Sequence, residues 1–287
     1  MTRTLLSGGR VFDGTGAPPA AADVLVEDGR ILEVGPGLDG DEAVDLGGRH
    51  LLPGLFDCHT HVTLSSIDLM GMLQKPFSYR FYETAENLGA TLAAGITCVR
   101  DAAGADAGIK RAVEDGLVQG PRLQISLTLL TQTGGHGDGW YPSGQELNFW
   151  PVYPGMPDGL VDGPEAMRRK VRELIRAGAD VIKVATSGGV LSPTDDPRHA
   201  HFRDDELSAL VAEAAAAGRW VMAHAQASDG IKAAVRAGIR SIEHGIYLDD
   251  EAIELMLDWG TWLVPTLAAP RAVLDMAAAG VPYPDAV

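Results

Sequence analysis

Leu51-Leu52-Pro53-Gly54-Leu55-Phe56-Asp57-Cys58-His59-Thr60-His61 is the stretch on which the reading of this chain turns. Pro53-Gly54 marks a turn, the apolar residues around it read as a buried strand, and two histidines close that strand one residue apart. Side chains alternate across a strand, so residues two apart point to the same side. His59 and His61 therefore share a face and are placed to reach one metal ion. Parallel α/β folds carry their chemistry at the carboxyl ends of strands, where this pair stands. The competing reading is a strand end with two chance histidines.

The chain has 287 residues, 46% of them hydrophobic and 22% charged, the composition of an ordinary globular protein. One α/β barrel of roughly 250 residues would nearly fill it. The formal charge of -16 repels phosphate backbones and no Lys/Arg cluster opposes it, which excludes nucleic acid as an expected partner. No apolar run approaches the roughly 20 residues that span a membrane. The segment from Met1 to Gly16 lacks the continuous apolar stretch of a secretory signal, so a cytoplasmic location and no membrane are expected. The only cysteines, Cys58 and Cys98, fall in apolar strand-like runs. They are expected as buried thiols in a reducing compartment, with neither a disulfide nor a cysteine metal site.

Organisation changes near residue 50. Residues 1–50 read as short strands broken by Gly-rich turns such as Glu27-Asp28-Gly29-Arg30, a small β unit. Residues 51–287 alternate strand-like and helical stretches. Strands are expected at Leu51, Ile96 to Asp101, Arg122 to Thr128, Val181 to Val184, Trp220 to His224, Ser241 to His244 and Trp262 to Pro265, seven in all. Helices are expected near Glu83 to Ala94, Ala105 to Asp115, Glu165 to Ala177, Asp204 to Ala217, Ser228 to Ala237 and Asp249 to Trp259. Repeated β-then-α units imply a parallel sheet, open or closed as a barrel. No G-x-G-x-x-G follows an early strand, which favours a (β/α)8-type TIM barrel over a dinucleotide-binding sheet. The Gly- and Pro-rich connection from Thr131 to Pro164, carrying Trp140, Tyr141, Trp150 and Tyr153, is long enough to be functional.

Further candidate ligands fall on these strands. His224 and His244 each close a strand. A single histidine there is often structural, but two on successive strands at the end occupied by His59 and His61 suit zinc or a similar divalent ion. Lys183 lies inside the apolar run Asp180-Val181-Ile182-Lys183-Val184, where a charged lysine is costly unless paired or chemically changed. A salt bridge to a carboxylate would satisfy it. So would uptake of carbon dioxide, because the resulting carbamate is an anion whose two oxygens can bridge two cations.

Together these residues resemble the amidohydrolase superfamily, through the Pro-Gly-Leu-Phe-Asp-Cys-His-Thr-His opening, the buried strand lysine and the later histidines at strand ends. The resemblance covers essentially the whole chain and implies that residues 1–50 form half of a small β-sandwich beside the barrel. It implies that His59 and His61 hold a more buried metal, His224 and His244 a more exposed one, and carboxylated Lys183 bridges them. Within the superfamily the chain looks most like imidazolonepropionase-related hydrolases and metal-dependent Xaa-Pro and Xaa-Arg dipeptidases. Thr133-Gly134-Gly135-His136-Gly137, Ser187-Gly188-Gly189-Val190, Met222-Ala223-His224-Ala225 and Glu243-His244-Gly245-Ile246-Tyr247 carry that likeness. It assigns His136 and Tyr247 to polarising the scissile carbonyl, where donors aimed at developing charge lower a barrier by several kcal/mol. A solvated loop histidine and a core tyrosine are the alternatives.

The expected reaction is hydrolysis of an amide in a small carboxylate-bearing or dipeptide substrate, with two divalent metals, zinc by default. A cyclic amide substrate and a non-catalytic chain are the alternatives, and self-association is left open. The resemblance also calls for an aspartate ending an eighth barrel strand as proton shuttle. Asp249, Asp250 and Asp258 fall in or beside the helix after the sixth strand, Asp275 on the helix after the seventh, and Asp285 has no strand before it. The sequence is therefore expected to be part of a longer enzyme, with completion by a partner chain or a natural short variant as alternatives. His199 and His201 repeat the His-x-His spacing in a Pro- and Asp-rich loop and are expected as loop residues. Asp101 is a candidate to bind a ligand or an arginine, and Arg198 and Arg203 to meet a substrate carboxylate.

Overall fold

The computed structural model describes residues 2–190, 192 and 195–280. Asp285 lies outside them. The fold divides into two compact units, Met1–Leu55 and Phe56–Val287.

In the first unit β1 (Arg3–Val11) pairs antiparallel with β2 (Ala20–Glu27) and parallel with β4 (Glu42–Asp45) and β5 (His50–Leu51), while β2 pairs antiparallel with β3 (Arg30–Gly35). The β2–β3 hairpin turns on Asp28 and Gly29, both left-handed at φ 50° and 72°. A two-residue turn matching the strand twist needs positive φ at both positions, which Asp-Gly supplies.

In the second unit every described strand pairing is parallel. One sheet runs β6 (Leu55–Thr60), β7 (Ile96–Asp101), β8 (Arg122–Ile125); the other runs β9 (Leu129–Leu130), β10 (Ile182–Ala185), β11 (Val221–Ala225), β12 (Ser241–His244), β13 (Trp262–Val264). Helices follow in the β/α rhythm: α1 (Leu69–Leu73) and α2 (Tyr79–Ala93) after β6, α3 (Ala107–Glu114) after β7, and α4 (Pro164–Arg176) after β9. Then come α5 (Asp204–Ala216), α6 (Ser228–Arg236), α7 (Asp250–Trp259) and α8 (Ala268–Ala278), one after each of β10 to β13. This is the TIM-barrel-type repeat, and the core lies between its strands and helices. Met167, Val171 and Leu174 make one buried stripe on α4, and Leu207, Leu210 and Ala214 another on α5.

Two features depart from the sequence expectation. The Arg122 to Thr128 segment is not one strand but breaks into β8 and β9 at Leu127, a left-handed residue at φ 68°. That conformation costs a non-glycine residue about 1–2 kcal/mol; complete burial of the Leu127 side chain offsets it. Cys58 is exposed and Cys98 only half-buried, against the expectation of buried thiols. The reason is that β6 is a sheet edge with β7 on one side only, which also leaves Leu55 and Phe56 exposed. At the other edge, Trp262 and Leu263 of β13 are exposed as well. Such apolar edges are normally covered or blunted. The aspartates hold the helix positions expected of them: Asp249 caps α7 by accepting from Ala252 N–H at 2.8 Å, and Asp275 pairs with Arg271 on α8.

The long 131–164 connection has no helix and is held by isolated bridges, Thr131 to Leu160, Trp140 to Glu146 and Tyr153 to Met156. Asp106 caps α3 by accepting from Ile109 N–H at 2.8 Å, and burial together with its carboxylate pushes the Tyr153 hydroxyl of this connection well above its ordinary range. Asp106→Ala is therefore expected to cost about 1–2 kcal/mol. A urea midpoint unchanged from the parent chain would refute this. Among the described residues no helix is long and apolar enough to cross a membrane.

Candidate metal centre

Strand alternation turns Lys183 and Ala185 of β10, Met222 and His224 of β11, and Ser241 and Glu243 of β12 to one face, because these residues pair in register. His244 pairs with Ala225 and would face the opposite way. Its backbone is left-handed at φ 75°, and the turn swings the imidazole back among the others. The ring centroid of His244 lies 4.9 Å from that of His59 and 4.7 Å from that of His224, and His59 lies 5.3 Å from His61. The fifth ring, His136, stacks on His224 at 4.1 Å. Lys183 is close enough for its charge to act on all five imidazoles.

Hydrogen bonds set which nitrogen each ring offers. His59 donates Nδ1–H to Glu243 Oε2 at 2.8 Å, and His61 donates Nδ1–H to the Ala103 carbonyl at 2.9 Å. His224 donates Nε2–H to the Gly188 carbonyl at 3.0 Å, and His244 Nδ1 shares a 2.7 Å bond with Thr266 Oγ1. A carboxylate or carbonyl only accepts, so the proton positions follow from the partners. Lone pairs remain at Nε2 of His59 and His61 and at Nδ1 of His224. An oxygen partner on the second nitrogen is the usual way a ligating imidazole is oriented. Burial holds every one of these rings well below the ordinary histidine range, His61 at about 4 and His136 at about 3, so they stay neutral, the form that binds metal.

Lys183 is 2% exposed and, among the described residues, its Nζ has no hydrogen-bond partner. Burial pushes it down to about 8, against the pull of Glu243 and Asp101. The salt bridge considered for it does not form. Glu243, fully buried, is already committed to His59, to Arg100 NH2 at 2.9 Å and to the Ser241 hydroxyl at 2.6 Å. Four neutral imidazoles around an orphaned buried amine suit divalent cations in donor chemistry, and an amine converted to a carbamate would no longer be an unpaired ammonium. Among the described residues, though, no three His, Cys, Asp or Glu side chains close on a common point as a finished ligand set.

Tyr247 is not among the clustered side chains: it is 42% exposed, and only its backbone N–H is bonded, to the Gln226 carbonyl at 3.0 Å. Among the described residues Asp101 makes no ion pair with an arginine; it accepts from Val62 N–H at 2.8 Å and Ala105 N–H at 3.0 Å, and burial pushes its carboxyl up to about 7. Arg198 is forked onto Asp196, and Arg203 starts α5 with its backbone N–H on Glu206. His201 lies in the loop before α5, as expected, and is 5% exposed there, with no hydrogen-bond partner for Nδ1 among the described residues.

Sequence reasoning missed Glu243 and Arg100. The signal was available: two opposite charges on inward positions of different apolar strands. It missed Trp150 too, whose ring lies 5.1 Å from that of His61 and brings the 131–164 loop onto the site. Gly189 gives His136 its place, since a Cβ there would stand 1.9 Å from Nδ1 of that ring. Gly189→Ala is expected to displace His136 and cost about 1–3 kcal/mol. A variant with the parent's melting temperature and unmoved His136 imidazole resonances would refute it.

The amidohydrolase family model matches residues 50–283. Ochratoxinase of Aspergillus niger is 36% identical over 291 residues, an alignment covering 95% of this chain and 60% of that protein. The chain thus spans about 60% of the length of this curated relative. A crystal structure of a prolidase complexed with N-methylphosphonate-L-proline superposes with a TM-score of 0.88 at 40% identity, covering 99% of this chain and 71% of that one. A Xaa-Pro dipeptidase with bound methionine in its active site gives 0.86 at 29% identity, covering 99% and 72%.

Proposed function

The chain belongs to the amidohydrolase family, and from that premise we propose that it is a metal-dependent hydrolase of carbon–nitrogen bonds acting on small, carboxylate-bearing, dipeptide-like substrates. The observation that carries this reading is the unpartnered Nζ of Lys183 buried among neutral imidazoles whose proton positions are fixed by oxygen partners. The prolidase, dipeptidase and ochratoxinase relatives support the substrate class.

His59 and His61 would hold one cation, His224 and His244 a second, and Lys183 as a carbamate would bridge them. Zinc suits the nitrogen and carboxylate-like donors. Bound there, the cations would supply Lewis acidity and an activated water near neutral pH. Everything else falls to the chain's own side chains. Glu243 fixes the His59 ring and is itself held by Arg100 and Ser241. His136, flat on His224 and bonded through Nδ1 to Ser192 Oγ at 2.6 Å, faces the cluster as the group steadying the carbonyl oxygen. Tyr247, on the exposed rim, would join it only on substrate binding. Trp150 and its loop exclude water on the His61 side.

The test is to purify the chain with zinc and bicarbonate, count bound metal, and measure turnover of Xaa-Pro dipeptides beside a cyclic amide. Bound metal with dipeptide turnover supports the proposal. A chain that binds no metal overturns it, and turnover confined to the cyclic amide replaces its substrate class.

A further inference from the structure

We infer that Ser192 is a positioning residue for the reaction: its hydroxyl donates to Nδ1 of His136 and so keeps that ring's single hydrogen on Nε2. The task of His136, to donate to the substrate carbonyl, rests on the hydrolase reading above; the hydrogen-bond geometry does not.

A neutral imidazole carries one N–H and one lone pair, and when one nitrogen accepts, the other donates. Burial holds His136 neutral, at about 3. A ring that steadies a developing oxyanion must donate, so Nε2 must carry the hydrogen and Nδ1 must accept. Nδ1 therefore needs a donor beside it. Ser192 Oγ lies 2.6 Å away, and the same oxygen reaches the His136 backbone carbonyl at 3.1 Å. One hydroxyl thus grips the ring and the main chain of a single residue, which fixes the side-chain torsions between them. The ring contact is the shorter, and a hydroxyl hydrogen rotates to suit its acceptor, so it lies on the ring nitrogen.

The surrounding chain brings this hydroxyl to that nitrogen. A Cβ at Gly189 would stand 1.9 Å from Nδ1 and 2.0 Å from Cε1, so a glycine lets the ring lie against the main chain at this point. Gly189 N–H donates to Asp195 Oδ2 at 2.9 Å, closing residues 189–195 into a loop that contains Ser192. Burial pushes the Asp195 carboxyl up, and its bonds from Gly189 N–H and the Ser192 hydroxyl pull it back. Asp195 is both the anchor of the loop and a competitor for the hydroxyl hydrogen. Gly188 gives its carbonyl to His224 Nε2–H at 3.0 Å, and His224 stacks on His136 at 4.1 Å with 25° between the ring planes. Contact with His224 and with the Gly189 main chain limits the tilt of the His136 ring. What remains free is which nitrogen holds the hydrogen, and Ser192 is the group bonded there to decide it.

Nitrogen-15 NMR of the chain labelled in its histidines tests this, with His136→Gln identifying the resonances of that ring. The parent is expected to show His136 as the Nε2–H tautomer with a hydrogen-bonded Nδ1. Ser192→Ala is expected to move the Nδ1 resonance to that of an unbonded ring nitrogen, and Ser192→Thr, which restores the hydroxyl, to return it. With zinc and a Xaa-Pro dipeptide, Ser192→Ala should lower kcat by about tenfold, the worth of one hydrogen bond. KM is expected to stay within about twofold, because the donor acts on charge that develops after binding. A parent with the hydrogen on Nδ1, a Ser192→Ala chain with unmoved His136 resonances, or a loss carried by KM alone overturns the proposal. The parent spectrum decides the tautomer even where a variant fails to fold. The spectra need no turnover, so the two readings fail separately: the expected tautomer in a chain without metal or turnover sinks the hydrolase, and turnover with the hydrogen on Nδ1 sinks the role of Ser192.

Discussion

Lys183→Met is expected to give a chain that folds at least as stably as the parent without metal, yet loses metal and activity together. A methionine fills nearly the same volume, so little cavity cost arises. What disappears is a buried amine with no hydrogen bond, a group whose burial costs about 1–3 kcal/mol. Removing it should raise the metal-free unfolding free energy by that order. The same substitution removes the one side chain that can become a bridging carbamate, so bound zinc should fall and turnover should drop by at least about a hundredfold, as expected when a Lewis-acid centre worth several kcal/mol is lost. Metal analysis and urea denaturation read the two halves independently. A Lys183→Met chain that keeps full metal and activity refutes the assignment, and one that unfolds without metal shows that Lys183 is a structural residue.

Glu243→Ala is expected to act in the opposite direction on stability. It leaves the Arg100 guanidinium buried without its carboxylate, the Ser241 hydroxyl without its acceptor and His59 Nδ1 without its anchor. Breaking a buried charged pair from one side costs about 3–5 kcal/mol. The Arg100 Nε bond to the Cys58 carbonyl at 2.6 Å survives, tying β7 to β6, so the loss should stay below the full cost of deleting the arginine. Denaturation midpoints of the two substitutions separate the roles. If Glu243→Ala is neutral, the network does not hold the β6 and β12 strand ends together. The substitution also frees the His59 ring from its fixed proton position, so metal affinity is expected to fall together with stability, by about 10–100-fold as for other losses of a ligand's hydrogen-bond partner.

The candidate site was more legible in the sequence than its support. His59, His61, Lys183, His224 and His244 stand at strand ends or in an apolar strand, where period two and residue chemistry alone mark them. The β/α rhythm was legible for the same reason, since the apolar runs of buried parallel strands are short and the helical stretches between them are amphipathic. The β8–β9 break was not, because a left-handed leucine is tolerated only where core packing offsets its strain. The exposure of Cys58 was not either: whether an apolar strand is central or an edge depends on its neighbours, which composition cannot show.

By itself the sequence determined the family, the parallel β/α architecture and the identity of the five candidate ligands, because local spacing and residue chemistry are intrinsic to the chain. Only the tertiary structure decided which nitrogen each imidazole offers, how His244 turns back into the cluster, that Glu243 and Arg100 form its buried support, and that Ser192 grips both the ring and the carbonyl of His136. Those facts depend on hydrogen-bond partners and on burial contributed by residues far apart in sequence, such as Glu243 reaching His59 across 184 positions. Long-range pairing of this kind leaves no local period for a sequence to display.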